Sequence, residues 1–395
     1  MGGTSFDVGM VREGEIVTAT MAELDRWALM GRRVDIHTVG AGGGSIASLD
    51  AQGIIKVGPA SAGAEPGPAC YGSGGEEPTV TDADVVLGYI DPTRFLGGKM
   101  GLDRDLAYRA IKERVADPIG MDPVEAASGI FLIINAKMVD AMRVLSVARG
   151  HDPRDFDLMV FGGAGPVHAT SLHRQLATRR LLIPSLAPVF SSMGVLATHL
   201  KHSYSRTFRS MLGDLDLERG NQIFDEMESR ARSILEREGV EPQRMQLLRS
   251  LDMSYAGQIH ELEVPIYGSR LTGEVVEEAR ASFSKRYLEV FGYQEEAASA
   301  QVITFRVEGV GEVPQPVMER RTLGGKDPVA ALLEPREIYL PEEKRFVTAA
   351  IYDGEKILPE NEMPGPAVIQ YMATTVVLFP DQRARCDEWG NLVID

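Results

Sequence analysis

Met1-Gly2-Gly3-Thr4-Ser5-Phe6-Asp7-Val8 stands at the start of the sequence and decides how the rest is read. Two glycines let the backbone approach an anion and take φ > 0. Thr4 and Ser5 add hydroxyl donors, and Asp7 can hold a metal-bound water. Val8–Val11 and Glu15–Thr20 then flank a turn at Arg12-Glu13-Gly14, which predicts a hairpin. A turn of this composition suits a phosphate. A phosphate hairpin needs two strands, and none precedes this turn, so the sequence reads as an enzyme entered in the middle.

Bulk properties set the class. The chain has 395 residues, 44% hydrophobic and 25% charged, which predicts a globular protein of two or three domains. A net charge of −16 argues against nucleic acid or an anionic membrane as the main partner. It does not oppose ATP, because glycine turns and helix N-termini supply local positive potential. Cys70 and Cys386 lie far apart, which suits a reducing cytoplasm and supports neither a disulfide scaffold nor a cysteine zinc site. No apolar run approaches ~18 residues and no signal-peptide pattern opens the chain, so the expected location is the cytoplasm.

Glycine crowds residues 31 to 75, most densely at Gly40-Ala41-Gly42-Gly43-Gly44-Ser45. Asp35–Val39 reads as a strand leading into that loop, and Ser48–Val57 as a hairpin turning at Gly53. Pro59 to Pro78 reads as a long Pro/Gly loop, functional or flexible. Asp122 is a natural N-cap, Pro123 follows at the first helical position and Glu125 completes a capping box. Apolar residues at Val124, Ala127, Phe131, Ile134, Met138, Ala141, Met142 and Leu145 continue a helical stripe that Gly150 stops. Asp157–Phe161 reads as a buried strand, Gly162-Gly163-Ala164-Gly165 as a tight turn, Pro166 onward as a helix, and Arg180–Ile183 as the next strand. Glycines between a strand end and a helix start let a nucleotide approach, although many α/β proteins use such a turn for packing alone. Further on, Leu217–Glu238 and Gly273–Phe291 read as helices, and Arg249–Tyr255, Glu261–Pro265 and Ala300–Val310 as strands. Pro314 and Pro316 mark a linker, and short β runs follow from Arg336.

Among single residues, His37 at the entrance to the glycine loop suits acid/base work, since imidazole titrates near neutral pH; a hydrogen-bonded strand end is an equal reading. His168 and His173 are five apart and do not share a helix face well. His199 and His202 have no third ligand at metal spacing, so zinc is a poor fit. Asp82 and Asp84, in Thr81-Asp82-Ala83-Asp84, read as loop capping ahead of catalysis. Cys70 has no evident base and reads as an inert buried thiol.

Several of these segments, in this order, carry a resemblance. Gly2-Gly3-Thr4-Ser5-Phe6-Asp7-Val8, His37 through Ser45, Val57-Gly58-Pro59, Gly67 through Tyr71, Thr81 through Asp84, Phe161 through Ala169, Tyr255-Ala256-Gly257-Gln258 and Gly390-Asn391-Leu392 resemble motifs of the hydantoinase A / 5-oxoprolinase family. Phe6 departs from that family's usual Thr, and its leading Asp has no counterpart. The family belongs to the actin-like ATPases, in which two lobes clamp one nucleotide.

The resemblance implies an α/β fold: an actin-like (ribonuclease H-like) second ATPase lobe over 1–205, an α+β region over 206–315 and a small C-terminal β module over 316–395. It implies ATP and Mg²⁺, with Gly2, Gly3, Thr4 and Ser5 at the phosphates and Gly42, Gly43 and Gly44 beside them. Gly162, Gly163 and Gly165 would lie at adenosine, and Asp7 at the magnesium water shell. The activity implied is ATP-dependent opening of a cyclic amide (hydantoin or 5-oxoproline), with a hydantoinase B-type subunit as partner. A β-type subunit of a ketone carboxylase, and an inactive remnant needing the first lobe in trans, remain alternatives.

Overall fold

The computed structural model describes residues 1–24, 27–293 and 299–395, apart from the side chains of 20–24 and 28–32. It divides into two compact units, Met1–Met193 with Met318–Asp395, and Gly194–Val317. The sequence reading placed boundaries at 205 and 316 with a separate C-terminal β module. That separation is corrected: the C-terminal strands complete the sheets and cores of the first unit.

In the first unit, strand Phe6–Gly9 pairs antiparallel with Ile36–Val39, and Ser45–Leu49 pairs with Ile55–Ser61 around Gly53, whose φ is +78°. Val11–Arg12 pairs with Glu15–Ile16, and Thr18–Leu24 with Trp27–Val34. The segments 15–20, 35–39 and 157–161, which an α/β lobe over 1–205 would place in one sheet, lie in separate sheets. Glu15–Ile16 pairs across a short turn with Val11–Arg12, whereas Ile36–Val39 reaches back to the distant Phe6–Gly9 and forms a two-stranded ribbon of its own. Asp157–Met159 sits instead at the edge of a five-stranded sheet ordered 362–364, 383–386, 392–394, 180–183, 157–159. That edge place leaves Asp157 and Met159 exposed, so the strand is shorter and less buried than its sequence suggested. It remains parallel to Arg180–Ile183 across the helix Gly165–Leu176, as the βαβ reading requires.

The helix Pro123–Leu145 begins where its capping residues predict, with Asp122 accepting from the Val124 and Glu125 amides. Its inner face (Ile130, Phe131, Ile134, Met138) is fully buried, each such side chain contributing about 1.5–3 kcal/mol. Ile338, Leu340, Val368 and Val377, from a second four-stranded sheet of C-terminal strands, share that core. Met363, Ala384, Leu392 and Ile394 share another with Val160, Leu181 and Ile183.

The second unit is a four-stranded antiparallel sheet ordered 200–211, 300–311, 245–255, 262–266. Helices Leu217–Arg237 and Gly273–Phe291 pack on it through Phe224, Met227, Phe283 and Tyr287. Among the described residues, no helix is long and apolar enough to cross a membrane.

Candidate nucleotide site

Four segments of the first unit converge. The opening turn closes with the Gly2 amide donating to the Ser5 carbonyl at 3.3 Å. Behind it lies the glycine loop: the Gly43 amide donates to the Gly2 carbonyl at 3.0 Å and the Gly44 amide to the Gly3 carbonyl at 2.7 Å. A Cβ on Gly42 would stand 2.5 Å from the Gly3 carbonyl carbon, and one on Gly44 would stand 2.9 Å from the Gly3 carbonyl oxygen. Gly42, Gly43 and Gly44 are buried. They back the turn, and glycine is needed there for close approach of two backbones; they present no surface to a ligand. The third segment holds the loop, since the Thr81 hydroxyl donates to the Gly43 carbonyl at 2.9 Å.

The fourth segment is the turn 162–165. The Met1 carbonyl accepts from the Ala164 amide at 3.3 Å and the Gly165 amide at 3.2 Å. Gly162 has a φ of +96°, and a Cβ there would meet the Met1 carbonyl carbon at 2.8 Å. The two glycine turns therefore adjoin, at the ends of strands from separate sheets. The bonds to Met1 also use the first amides of the helix Gly165–Leu176, so its N-terminus is engaged by protein and not presented to a ligand as expected.

Gly2, Gly3 and Thr4 are exposed. Neither glycine takes positive φ, against expectation. What sets them apart is open space, because a Cβ at either would find no heavy atom within 4 Å. Among the described residues, the Gly3 and Thr4 amides donate to no protein acceptor. Asp7 stands beside them on the exposed face of the Phe6–Gly9 ribbon, where it accepts from the Thr38 hydroxyl at 2.6 Å and the Ser5 hydroxyl at 3.3 Å. Pairing in that ribbon sets Asp7 opposite Thr38 and Val8 opposite His37. Because alternate residues face opposite sides, His37 joins Phe6, Val8 and Val39 on the face packed against the core. It points away from Asp7, so the two do not form one catalytic pair.

Beside the second turn, a small cleft open to solvent is lined by Asp91, Arg94, Phe95, Gly163, Gln370 and Met372, with their neighbours. Gly163 is exposed at its wall, and its carbonyl accepts the Thr374 hydroxyl at 2.9 Å. Residues 2–5 do not line it. Burial pushes the Asp91 carboxyl up, but the Thr93 hydrogen bonds and then the Arg336 guanidinium, 2.9 Å away, together hold it below its usual range. Met372 and Gln370 come from the C-terminal strands, which nothing in their local sequence connected to this site.

The Pro/Gly segment is an ordered strut at its inner end. Gly67 through Cys70 are buried, and the Ala69 and Cys70 amides donate to Asp82 at 3.2 and 2.7 Å. Asp82 also completes a capping box with Thr79 at the start of the helix Val80–Val86, so the capping reading holds for it on a helix. Burial and Asp82 push the Cys70 thiol up, which makes it a poor nucleophile. Among the described residues no three metal-ligating side chains cluster.

Comparison with known proteins fits this geometry. Residues 1–204 match the hydantoinase/oxoprolinase family model and 216–393 the hydantoinase/oxoprolinase C-terminal domain. The chain is 36% identical to the acetophenone carboxylase gamma subunit of Aromatoleum aromaticum, over 100% of its own length and 55% of that subunit. Its fold superposes on nucleotide-free acetone carboxylase with a TM-score of 0.87 at 29% identity, and on the ATP-dependent caprolactamase of Pseudomonas jessenii with 0.79 at 33%. In each case all of this chain covers 57% of the other. The chain thus spans about half the length of the relatives it matches.

Proposed function

Because the chain belongs to the hydantoinase/oxoprolinase family, we propose that it binds the phosphates of ATP on its opening turn and takes part, as an A-type subunit, in ATP-dependent hydrolysis of a cyclic amide. One observation carries this reading. The Gly2-Gly3-Thr4 turn is exposed, its Gly3 and Thr4 amides have no acceptor among the described residues, and a Cβ at Gly2 or Gly3 would meet no heavy atom within 4 Å, on a backing packed tightly against the glycine loop. Preorganised amides of this kind stabilise charge on a transferring phosphoryl group without reorganising during the step.

Each residue has a task. The Gly3 and Thr4 amides, with the Thr4 hydroxyl, would hold phosphate oxygens. Asp7, oriented by Thr38 and Ser5, would hold the water shell of Mg²⁺, which when bound neutralises phosphate charge. Exposed Gly163 would let the nucleoside approach the cleft next to it. Phosphorylating the amide oxygen would make the ring carbon electrophilic, so that water adds to it; the tetrahedral adduct then expels the protonated ring nitrogen as the amine, and a second water hydrolyses the remaining acyl phosphate to carboxylate and phosphate. A hydantoinase B-type subunit would supply the rest of the amide site.

Ketone carboxylation is the second reading, favoured by the superposition on acetone carboxylase. It needs the same phosphoryl transfer, with an enolate or carboxyl oxygen as acceptor. ATP turnover measured with hydantoins, 5-oxoproline and caprolactam, and with ketones plus bicarbonate, separates the two. Stimulation by no carbonyl substrate, in the presence of a B-type subunit, would sink both.

A further inference from the structure

Three buried side chains from three helices meet with unmatched polar atoms, and none has a part in the site above. Asp84 lies in the helix Val80–Val86, Asn135 in Pro123–Leu145, and His168 in the first turn of Gly165–Leu176. They are 2%, 0% and 0% exposed. His168 Nδ1 lies 2.8 Å from Asn135 Oδ1, and His168 Nε2 lies 3.7 Å from Asp84 Oδ2. Phe131 stacks on the imidazole at 5.0 Å. Among the described residues, the buried side-chain atoms without a hydrogen-bond partner are Asp84 Oδ1, Asn135 Nδ2 and His168 Nε2. Buried polar atoms are nearly always satisfied, so the meeting of all three in one place calls for a cause.

Hydrogen counting supplies one for His168 Nε2. Asn135 Oδ1 can only accept, so His168 Nδ1 carries a proton, and in a neutral ring Nε2 then turns a lone pair toward Asp84. A carboxylate facing that lone pair would repel it. The titratable groups around Asp84 are Asp82 on its own helix, Cys70 in the loop before it and Tyr89 after it. On the far side of His168 stands the Met1 amino group, and the helix 123–145 contributes Asn135 and Phe131. None of these is a cation paired with Asp84. A movement of about 0.5–1 Å by either side chain closes the gap to an O–H···N bond.

We infer that Asp84 and His168 are positioning residues: Asp84 as a neutral carboxylic acid donates to His168 Nε2, Asn135 fixes the imidazole tautomer, and this link ties the two turns of the candidate site together. One of the joined helices begins at the 162–165 turn, and the other anchors Gly43 through Thr81. Burial agrees with both protonation states, pushing Asp84 up and His168 down to about 3.

The test uses the 395-residue chain, labelled with ¹⁵N at histidine. The expected His168 signals are those of a neutral Nδ1–H ring, unchanged from pH 8 to pH 5. Titration in that range, or an imidazolium throughout, overturns the inference. Asp84→Asn keeps a neutral donor of the same shape, so it should retain the thermal midpoint and bind a fluorescent ATP analogue within about threefold of the parent. Asp84→Val removes the donor and leaves Nε2 unsatisfied, which should weaken that binding about tenfold or more. If Asp84→Asn is as damaging as a charge-removing loss would be, with affinity down tenfold, the acid is ionised and the inference fails, even should the valine variant not fold. The nucleotide arm rests on the proposed ATP site. Failure of the unmutated chain to bind the analogue counts against that site, while the histidine signals still decide the pair.

Discussion

Gly42→Ala separates a glycine loop that supports the phosphate turn from one that touches ligand. The new Cβ would stand 2.5 Å from both the carbonyl carbon and oxygen of Gly3, about 1 Å inside ordinary contact. Backbone lies on both sides, so relief requires the loop or the turn to move. Overpacking of this kind costs about 1–3 kcal/mol. Movement also strains the Gly43–Gly2 and Gly44–Gly3 hydrogen bonds, each contributing about 1 kcal/mol. A total of about 3–5 kcal/mol should lower the melting of the first unit by roughly 6–20 °C. Gly3→Ala is the contrast. Its Cβ meets nothing within 4 Å, so stability should change by less than about 0.5 kcal/mol. The methyl would stand where a phosphate approaches, and ATP affinity should fall about tenfold or more. Thermal unfolding and calorimetric titration with Mg-ATP read the two variants. A Gly42→Ala chain that melts with the parent, or a Gly3→Ala chain that binds ATP like the parent, refutes the division of labour between loop and turn.

Asp7→Ala should leave melting unchanged, since Asp7 is exposed and bonded only to two hydroxyls, yet reduce substrate-stimulated ATP turnover by about 10²-fold or more; wild-type turnover in a steady-state phosphate-release assay would contradict its placement at magnesium. Both cysteines are buried, with Cys386 pushed up to about 11. Native protein should therefore resist iodoacetamide at pH 8 and react at two sites only after denaturation, as intact mass spectrometry will report. The Arg179 and Arg180 guanidinium groups hold the Asp157 carboxyl well below its usual range. Because the folded value is depressed, this stabilisation is present above the unfolded value near ~3.9 and is lost as pH falls below it. Asp157 is about one-third exposed and both guanidinium groups more than half, so solvent screening keeps this contribution small. Urea unfolding from pH 6 to pH 2.5 should show a smaller acid loss in Asp157→Asn than in the parent, and an identical slope would remove the ion pair from the account.

What could be read from the sequence was local. Gly273–Phe291 and Arg180–Ile183 form over the spans expected, because caps, glycine stops and apolar runs act within one element. The opening turn and the 162–165 turn were found by composition, and they do adjoin. Partnership across the chain was not legible. That His37 faces the core while Asp7 faces solvent depends on a register of Asp7 with Thr38, and a shift of one residue would have reversed it. Gly42 to Gly44 carry the composition of a ligand loop, yet only the backbone opposite them reveals that they are packed. Asp84, Asn135 and His168 are separated by dozens of residues and meet through helix packing, so their joint chemistry has no sequence pattern. The C-terminal strands read as a module of their own because short β runs do not say which sheet they join.

The strand Arg180–Ile183 takes its antiparallel neighbour from Leu392–Ile394, with Ile183 opposite Leu392. A ribosome emits those partners about 200 residues apart, which at ~5–20 residues per second is a delay of roughly 10–40 s. Throughout that interval the βαβ segment bearing the 162–165 turn exists with an open strand edge, a template for pairing with other chains. The second unit, 194–317, is made during the same interval and has its own sheet and core, so it can fold while the first waits. Nascent chains stalled shortly before residue 392 should therefore combine a protease-resistant second unit with an aggregation-prone first one, and the turns of the candidate site would be among the last parts of the protein to become rigid.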